Sequence, residues 1–309
     1  MRKFLQGHPF IWPMLGSVIL WGLIGAVSGR LNFALLYTSA KLSTFALLLG
    51  LAQTVVVTSG DGAIDLSQTY ILTLSAYISC TLTNTAPLTG FLAATIVGAV
   101  CGLANGLINV YLKVPAMIAT LATGYIIFSI ILVGAPHMKA LPDPALVAFI
   151  NKNPADISML TLIAIALALL LSVALYKTPY GKRLHAVGQN KTAAHYAGIA
   201  VNRVVVTAFV IAGSISGIAG ALCGAFIGGA FQDMGSTYFL PSIAATFVGG
   251  TSAAGGRSSV MGVCFGALMM SFMSTFLNVA KILPGTQRLL QGAFLVLILV
   301  ASVSGSKKR

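Results

Sequence analysis

Few side chains in this sequence are equipped for chemistry, and most of them sit at breaks between apolar runs. All five acids are aspartates, Asp61, Asp65, Asp143, Asp156 and Asp233, and two of them share the stretch Thr58-Ser59-Gly60-Asp61-Gly62-Ala63-Ile64-Asp65-Leu66-Ser67-Gln68-Thr69. A carboxylate among hydroxyls and an amide can touch a passing hydrophilic molecule weakly, at several points. Asp65 is also the best candidate for a proton site within an apolar segment, although it stands near a segment end and the chain has no glutamate at all. A second stretch, Gly249-Gly250-Thr251-Ser252-Ala253-Ala254-Gly255-Gly256-Arg257-Ser258-Ser259, has a similar layout. Its glycines resemble a phosphate loop, yet GxxxxGK(S/T) occurs nowhere, so the polypeptide is not expected to bind ATP itself.

The equipment of an enzyme is missing. HExxH and GxSxG are absent, no carboxylates pair on adjacent apolar segments, and His8, His137, His185 and His195 all lie outside those segments. Cys80, Cys101, Cys223 and Cys264 fall within apolar runs without CxxC or a nearby histidine, which points to packing rather than a disulfide or a metal site. No catalytic residue and no metal ligand is expected.

The elements that carry these residues follow from composition. Of 309 residues 57% are apolar and only 7% are charged, against about a quarter charged in soluble domains. A membrane-spanning helix needs about 20 apolar residues. The runs bounded by Gly, Pro, Asn or charge are 10–28, 42–59, 63–84, 89–112, 114–134, 156–177, 204–227, 238–252, 258–279 and 285–303, with 238–252 short. The expectation is an all-α, polytopic membrane protein of about ten spans, some broken or short, forming one transmembrane domain over 1–309. Met1-Arg2-Lys3 ahead of a run from Phe10 to Val27 has the look of a signal peptide, but the run is too long for one, and a retained first helix is expected.

The charges orient the bundle. With a cytoplasmic N-terminus, twelve of the 18 Lys and Arg fall inside and six outside, which places both termini in the cytoplasm. The same rule accounts for the net charge of +13 without nucleic acid. The longest inner connection, 178–203, contains Thr192, Ala193, Ala194 and Ala197, which favour a short helix, with Asn190 as N-cap and Gly198 as its stop. Such a helix either contacts another protein or merely connects two spans. The stretch around Asp65 is likewise open to two readings. It is a tight turn with Asp65 favouring the N-terminus of the next span, or a break within the membrane, as transporters place at substrate sites. Gly213, Ser216, Gly217 and Gly220 mark a close helix contact with a partner that the sequence does not name.

Four stretches resemble the membrane permeases of bacterial ABC importers of the ribose, arabinose and galactose type. Ile64-Asp65-Leu66-Ser67 is similar to that family's GIDLSVGS, and Lys113-Val114-Pro115-Ala116-Met117-Ile118-Ala119-Thr120-Leu121 to its K-(I/V)-P-A-F-I-x-T-L. Residues 181–199, with Ala186, Gly188, Asn190, Ala193, Ala194 and Gly198 in place, resemble G-x(4)-A-x-G-x-N-x(2)-A-A-x(3)-G-I. Residues 238–256 align without a gap to Y-E-L-D-A-I-A-A-V-V-L-G-G-T-S-L-A-G-G. Departures are Phe239 and Pro241 in place of two acids, and Gln68 and Thr69 in place of Val-Gly.

The resemblance implies a multi-pass subunit of the bacterial inner membrane. It implies a second permease copy, identical or different, a pair of ABC ATPase subunits that hold ATP and Mg, and an extracytoplasmic or periplasmic binding protein that delivers the solute. The 178–203 loop is then the ATPase-coupling segment, with Lys182, Arg183, Gly188, Asn190, Ala193, Ala194 and Gly198 as its residues. Ser59, Asp65, Ser67, Gln68, Thr120 and Thr251 are the expected translocation-pathway contacts. A small hydrophilic solute, a sugar or polyol, is the expected cargo, without ribose specificity being carried over. A nucleoside or branched-chain amino-acid ABC permease and a self-sufficient secondary transporter are the alternatives.

Overall fold

The computed structural model describes residues 10–29, 33–82, 87–154 and 157–306. Of the residues named above, Met1, Arg2, Lys3, His8 and Asp156 lie outside them, as do Arg30, Lys307, Lys308 and Arg309 among the charges counted for orientation. Among the described residues there are thirteen α-helices and no strand: α1 (Ile11–Ser28), α2 (Phe33–Thr58), α3 (Gln68–Thr81), α4 (Pro87–Tyr111), α5 (Ala116–Gly134), α6 (Pro144–Ile150), α7 (Met159–Lys177), α8 (Pro179–Gln189), α9 (Lys191–Tyr196), α10 (Val201–Ile227), α11 (Phe239–Val248), α12 (Val260–Val279) and α13 (Pro284–Ser306).

Each of the ten apolar runs contains a helix, but only seven of the helices, α1, α2, α4, α5, α7, α10 and α12, are long and apolar enough to cross a membrane. The shortfall has a local cause in two of the other three. α3 has 14 residues because the chain does not turn helical until Gln68, and α11 has only 10 before the glycines at 249 and 250. Two further helices lie outside the apolar runs, where hydropathy gives no sign of them. α6 starts where Asp143 accepts from the Ala145 and Leu146 amides ahead of Pro144, a cap followed by proline at the first helical position. α8 starts the same way, with Thr178 capping and Pro179 next.

α2 and α10 form the centre, with 83% and 67% of their spanning windows buried, against 22–44% in the other five. A helix that is apolar all round belongs in such a position. Buried hydroxyls of α2 bond back to the preceding turn, as Thr54 does to Gly50 O at 2.8 Å and Thr58 to Thr54 O at 2.6 Å, which satisfies them within the helix. α10 meets α4 through glycine: a Cβ on Gly213 would stand 2.1 Å from Gly98 O, and one on Gly98 would stand 2.2 Å from Gly213 O. This is the close contact expected of Gly213 and its neighbours: Gly213 and Gly217 meet α4, and Gly220 meets α3 at Leu72 O. Outward faces of the peripheral helices carry bare aliphatics such as Val133 and Leu169, which suits lipid.

Candidate functional site

The chain breaks inside the bundle. After α2 ends at Thr58, residues 59–67 are non-helical, turning through Gly60, Asp61 and Gly62, all with positive φ. They then climb back along α2. With the Gln53 and Gln68 amides turned to the orientation that their neighbours require, the Gln53 side chain brackets the Asp65 peptide, donating to Asp65 O and accepting from its N–H, each at 3.2 Å. The Gln68 amide donates to Leu49 O at 3.0 Å and accepts from Gln53 at 2.9 Å. Leu49 is nine residues before Thr58, or about 14 Å along the helix. Gln68 therefore enters α3 about 14 Å above the turn, and the geometry favours an intramembrane break over a tight surface turn.

Backbone freed at such depth must be satisfied by protein, and here it is. Leu66 N–H donates to Thr120 Oγ1 at 3.0 Å, and Thr120 itself donates to Ala116 O at 2.8 Å. Asp65 Oδ1 accepts from the Ser67 N–H at 2.9 Å and the Ser67 hydroxyl at 2.6 Å, so the carboxylate folds onto its own turn instead of capping α3. Ser67 Oγ accepts from Asn105 of α4 at 2.8 Å, and Asn105 in turn accepts from Thr123 of α5. The result is one buried polar seam across α2, α3, α4 and α5.

All six expected pathway residues are buried. Asp65, Ser67, Gln68 and Thr120 belong to the seam, whereas Ser59 bonds to Val56 O at the end of α2 and Thr251 lies in the second glycine stretch. Asp65 Oδ2 and Thr251 Oγ1 are buried without a hydrogen-bond partner. Sequence reasoning passed over Gln53, Asn105 and Thr123. The available signal was a lone amide within an apolar span, which in a membrane is costly unless it has a partner.

The two glycine-rich stretches meet. A Cβ at Gly255 would lie 2.3 Å from the Gly60 Cα, and Gly256 N–H donates to Thr58 O at 3.0 Å. They are equivalent in position but inverted in order, because the short helix follows the first break (α3) and precedes the second (α11). α8 closes over both. Gly188 is wedged so that a Cβ would stand 1.8 Å from Thr58 O and 2.5 Å from Gly256 N. Nearby, His185 Nε2 is 2.9 Å from Ser258 Oγ, and the Tyr176 hydroxyl donates to Ser258 O at 3.0 Å.

The coupling-loop residues therefore divide in two. Gly188 and Ala194 are buried within the chain, while Lys182, Arg183, Asn190, Ala193 and Gly198 are exposed. Asn190 caps α9 by accepting from Ala193 N–H at 2.9 Å, and Gly198 takes φ +79° just past it, both as the spacing predicts. Tyr196, an aromatic in a polar loop, is 85% exposed. Lys191 pairs with Asp61 at 2.7 Å across the break. With Asp61 73% exposed, the pair is solvent-screened. Asp61→Asn is expected to change stability by less than about 1 kcal/mol, read by thermal denaturation in detergent at low and high salt.

Two connected breaks with a helix pair docked on them is the layout on which comparison with known proteins bears. A family model described as branched-chain amino acid transport system / permease component matches residues 35–299. The chain belongs to this permease family. It is 33% identical to the galactose/methyl galactoside import permease protein MglC of Haemophilus influenzae over 71% of this chain and 68% of that one. It is 30% identical to the fructose import permease protein FrcC of Rhizobium meliloti over 97% and 87%. It is 27% identical to the autoinducer 2 import system permease protein LsrD of Salmonella paratyphi B over 93% and 88%. No solved structure matches. The likeness to sugar-type ABC permeases that the four motifs carry thus holds. With seven helices able to span, the permease is a multi-pass protein of the bacterial inner membrane.

Proposed function

We propose that this permease is the transmembrane subunit of an ABC importer that moves a sugar or polyol, delivered by an extracytoplasmic binding protein, by alternating access driven by a separate ATPase. The observation that carries the reading is the α8–α9 pair. Its inner side is locked onto both breaks at Gly188, and its outer side presents Ala193, Tyr196, Lys182 and Arg183 to solvent. A partner that grips α9 thereby pulls on the two points where the membrane helices are interrupted. The exposed cations suit acids at the rim of an ATPase groove, contributing to orientation and on-rate more than to affinity. ATP and Mg belong to that partner.

In this reading the α8–α9 end is cytoplasmic, both termini are cytoplasmic, and α3, α11 and α13 complete ten crossings together with the seven long helices. A second permease copy forms the other half of the pathway. Galactose and fructose, named for two relatives, support a sugar cargo; the family description favours a branched-chain amino acid as second reading. Uptake of labelled monosaccharides against labelled leucine by cells carrying the complete importer separates the two.

The buried seam is where α2, α3, α4 and α5 must part as access alternates, which brings Ser59, Asp65, Ser67, Gln68, Thr120 and Thr251 into the proposed pathway. The unpartnered Asp65 Oδ2 and Thr251 Oγ1 are acceptors on offer to a moving solute. A Ser67→Ala, Gln68→Ala double variant is expected to slow uptake about tenfold while the protein still assembles, the scale of one or two lost hydrogen bonds. Unchanged uptake removes these residues from the pathway.

A further inference from the structure

A small cleft opens where α3 and α5 face the 228–238 loop, lined by Thr69, Tyr70, Gln232, Asp233, Ser236 and Phe239 among others. None of the six pathway residues expected from the sequence lines it. Its depth follows from hydrogen bonds. Thr81 at the far end of α3 donates to Tyr77 O at 2.8 Å and stands 3.5 Å from Lys139 O, marking the end of the bundle opposite α8 and α9. Thr69 is 12 residues back along α3, about 18 Å, and stands one residue past Gln68, itself about 14 Å above the other end. The cleft is therefore near mid-depth.

The 228–238 loop dips to reach it. Ala230 N–H donates to Ala140 O at 2.8 Å at the opposite end, but five residues on, Gly235 N–H donates to Thr73 Oγ1 at 3.2 Å. A Cβ on Gly235 would stand 2.2 Å from Thr69 O, so only glycine lets the loop come this close. The dip carries Asp233 and Gln232 below the surface with both side chains exposed. An exposed carboxylate at that depth does not face lipid; it faces water or a polar occupant.

We propose that this cleft is a binding station for a small neutral polyhydroxylated solute, held by hydrogen bonds to Asp233 and Gln232. This rests on the importer reading and deepens it. The cavity of about 150 Å³ exceeds the roughly 30 Å³ share of one water. Ser236 Oγ lies 2.9 Å from both Asp233 Oδ2 and Asp233 O, so one hydroxyl holds the carboxylate beside its own turn and leaves it acceptor capacity for a solute hydroxyl. The Gln232 amide both donates and accepts, as a row of hydroxyls requires. Tyr70 packs 6.1 Å from Tyr125 and 5.8 Å from Phe128, and with Phe239 gives the cleft apolar ring surface for the C–H side of a sugar. The lining holds no lysine or arginine. A zwitterionic amino acid could set its ammonium on Asp233 but would find no cation in the lining for its carboxylate, a penalty that a neutral polyol does not pay.

The test places a cysteine at the cleft with Leu121→Cys, a lining position that makes none of the proposed hydrogen bonds, in the full chain assembled with its partners, and uses a membrane-impermeant cationic methanethiosulfonate reagent. The chain with its native cysteines is the blank. Labelling is expected, slowed by a mixture of D-galactose, D-fructose, D-ribose and glycerol but not by L-leucine. Asp233→Asn, which keeps an acceptor for Ser236, is expected to cut monosaccharide uptake about tenfold, as for one hydrogen bond to a charged group. Absence of labelling while monosaccharide uptake continues overturns the station and leaves the importer reading intact. Protection by leucine alone overturns the sugar reading with it, and labelling that no solute slows overturns the station as a solute site.

Discussion

Gly188→Ala is expected to destabilise the permease by about 3 kcal/mol or more, at the upper end of what overpacking costs. The reason is the hardness of what the new methyl meets. It would stand 1.8 Å from Thr58 O, 2.5 Å from Gly256 N and 2.9 Å from Gly256 Cα, all backbone. No rotamer change relieves such a clash, so α8 must lift from both breaks. Thermal denaturation of the purified protein in mild detergent reads the effect as a drop on the order of 5–10 °C. Gly285→Ala is the control, since nothing lies within 4 Å of its added Cβ. Equal melting temperatures for the two variants contradict the three-way contact. Because Gly188 is buried within the chain, a substitution there perturbs the fold before it reaches any partner, and docking has to be probed elsewhere.

Tyr196→Ala is that probe. The side chain is 85% exposed, and the ring contact recorded for it is with the adjacent His195 at 6.1 Å, so its removal leaves the bundle intact. At a protein interface an aromatic anchor is worth about 2 kcal/mol or more, equivalent to roughly a 30-fold weaker complex. Co-purification of the ATPase from native membranes, with solute-stimulated ATP hydrolysis, measures it. Loss of the ATPase at unchanged melting temperature places α9 in the ATPase groove. Full retention with normal hydrolysis moves the coupling surface off α9.

The long helices were legible because a membrane requires unbroken apolar runs, and the α9 cap was legible because Asn190 and Gly198 act within one turn of their own positions. What the sequence concealed depends on distant partners. The Gly60, Gly188 and Gly255 contact joins residues far apart in the chain, and nothing local distinguishes such glycines from those of an ordinary loop. The depth of the break was hidden for the same reason, since it is set by Gln53 and Leu49 on α2. α6 and α8 are a different matter. Asp143-Pro144 and Thr178-Pro179 are local start signals that hydropathy alone overlooks. The cleft at Asp233 was not legible because its walls come from α3, α5 and the 228–238 loop, joined only by the fold.

The most direct test of an externally driven permease is reconstitution of the chain into liposomes with and without its ATPase and binding protein, with labelled monosaccharides as cargo. The account predicts uptake only when both partners and internal or ATPase-accessible ATP are present, with no uptake by the chain alone. Steady monosaccharide uptake by the isolated chain without ATP would contradict it and make the permease a self-sufficient transporter.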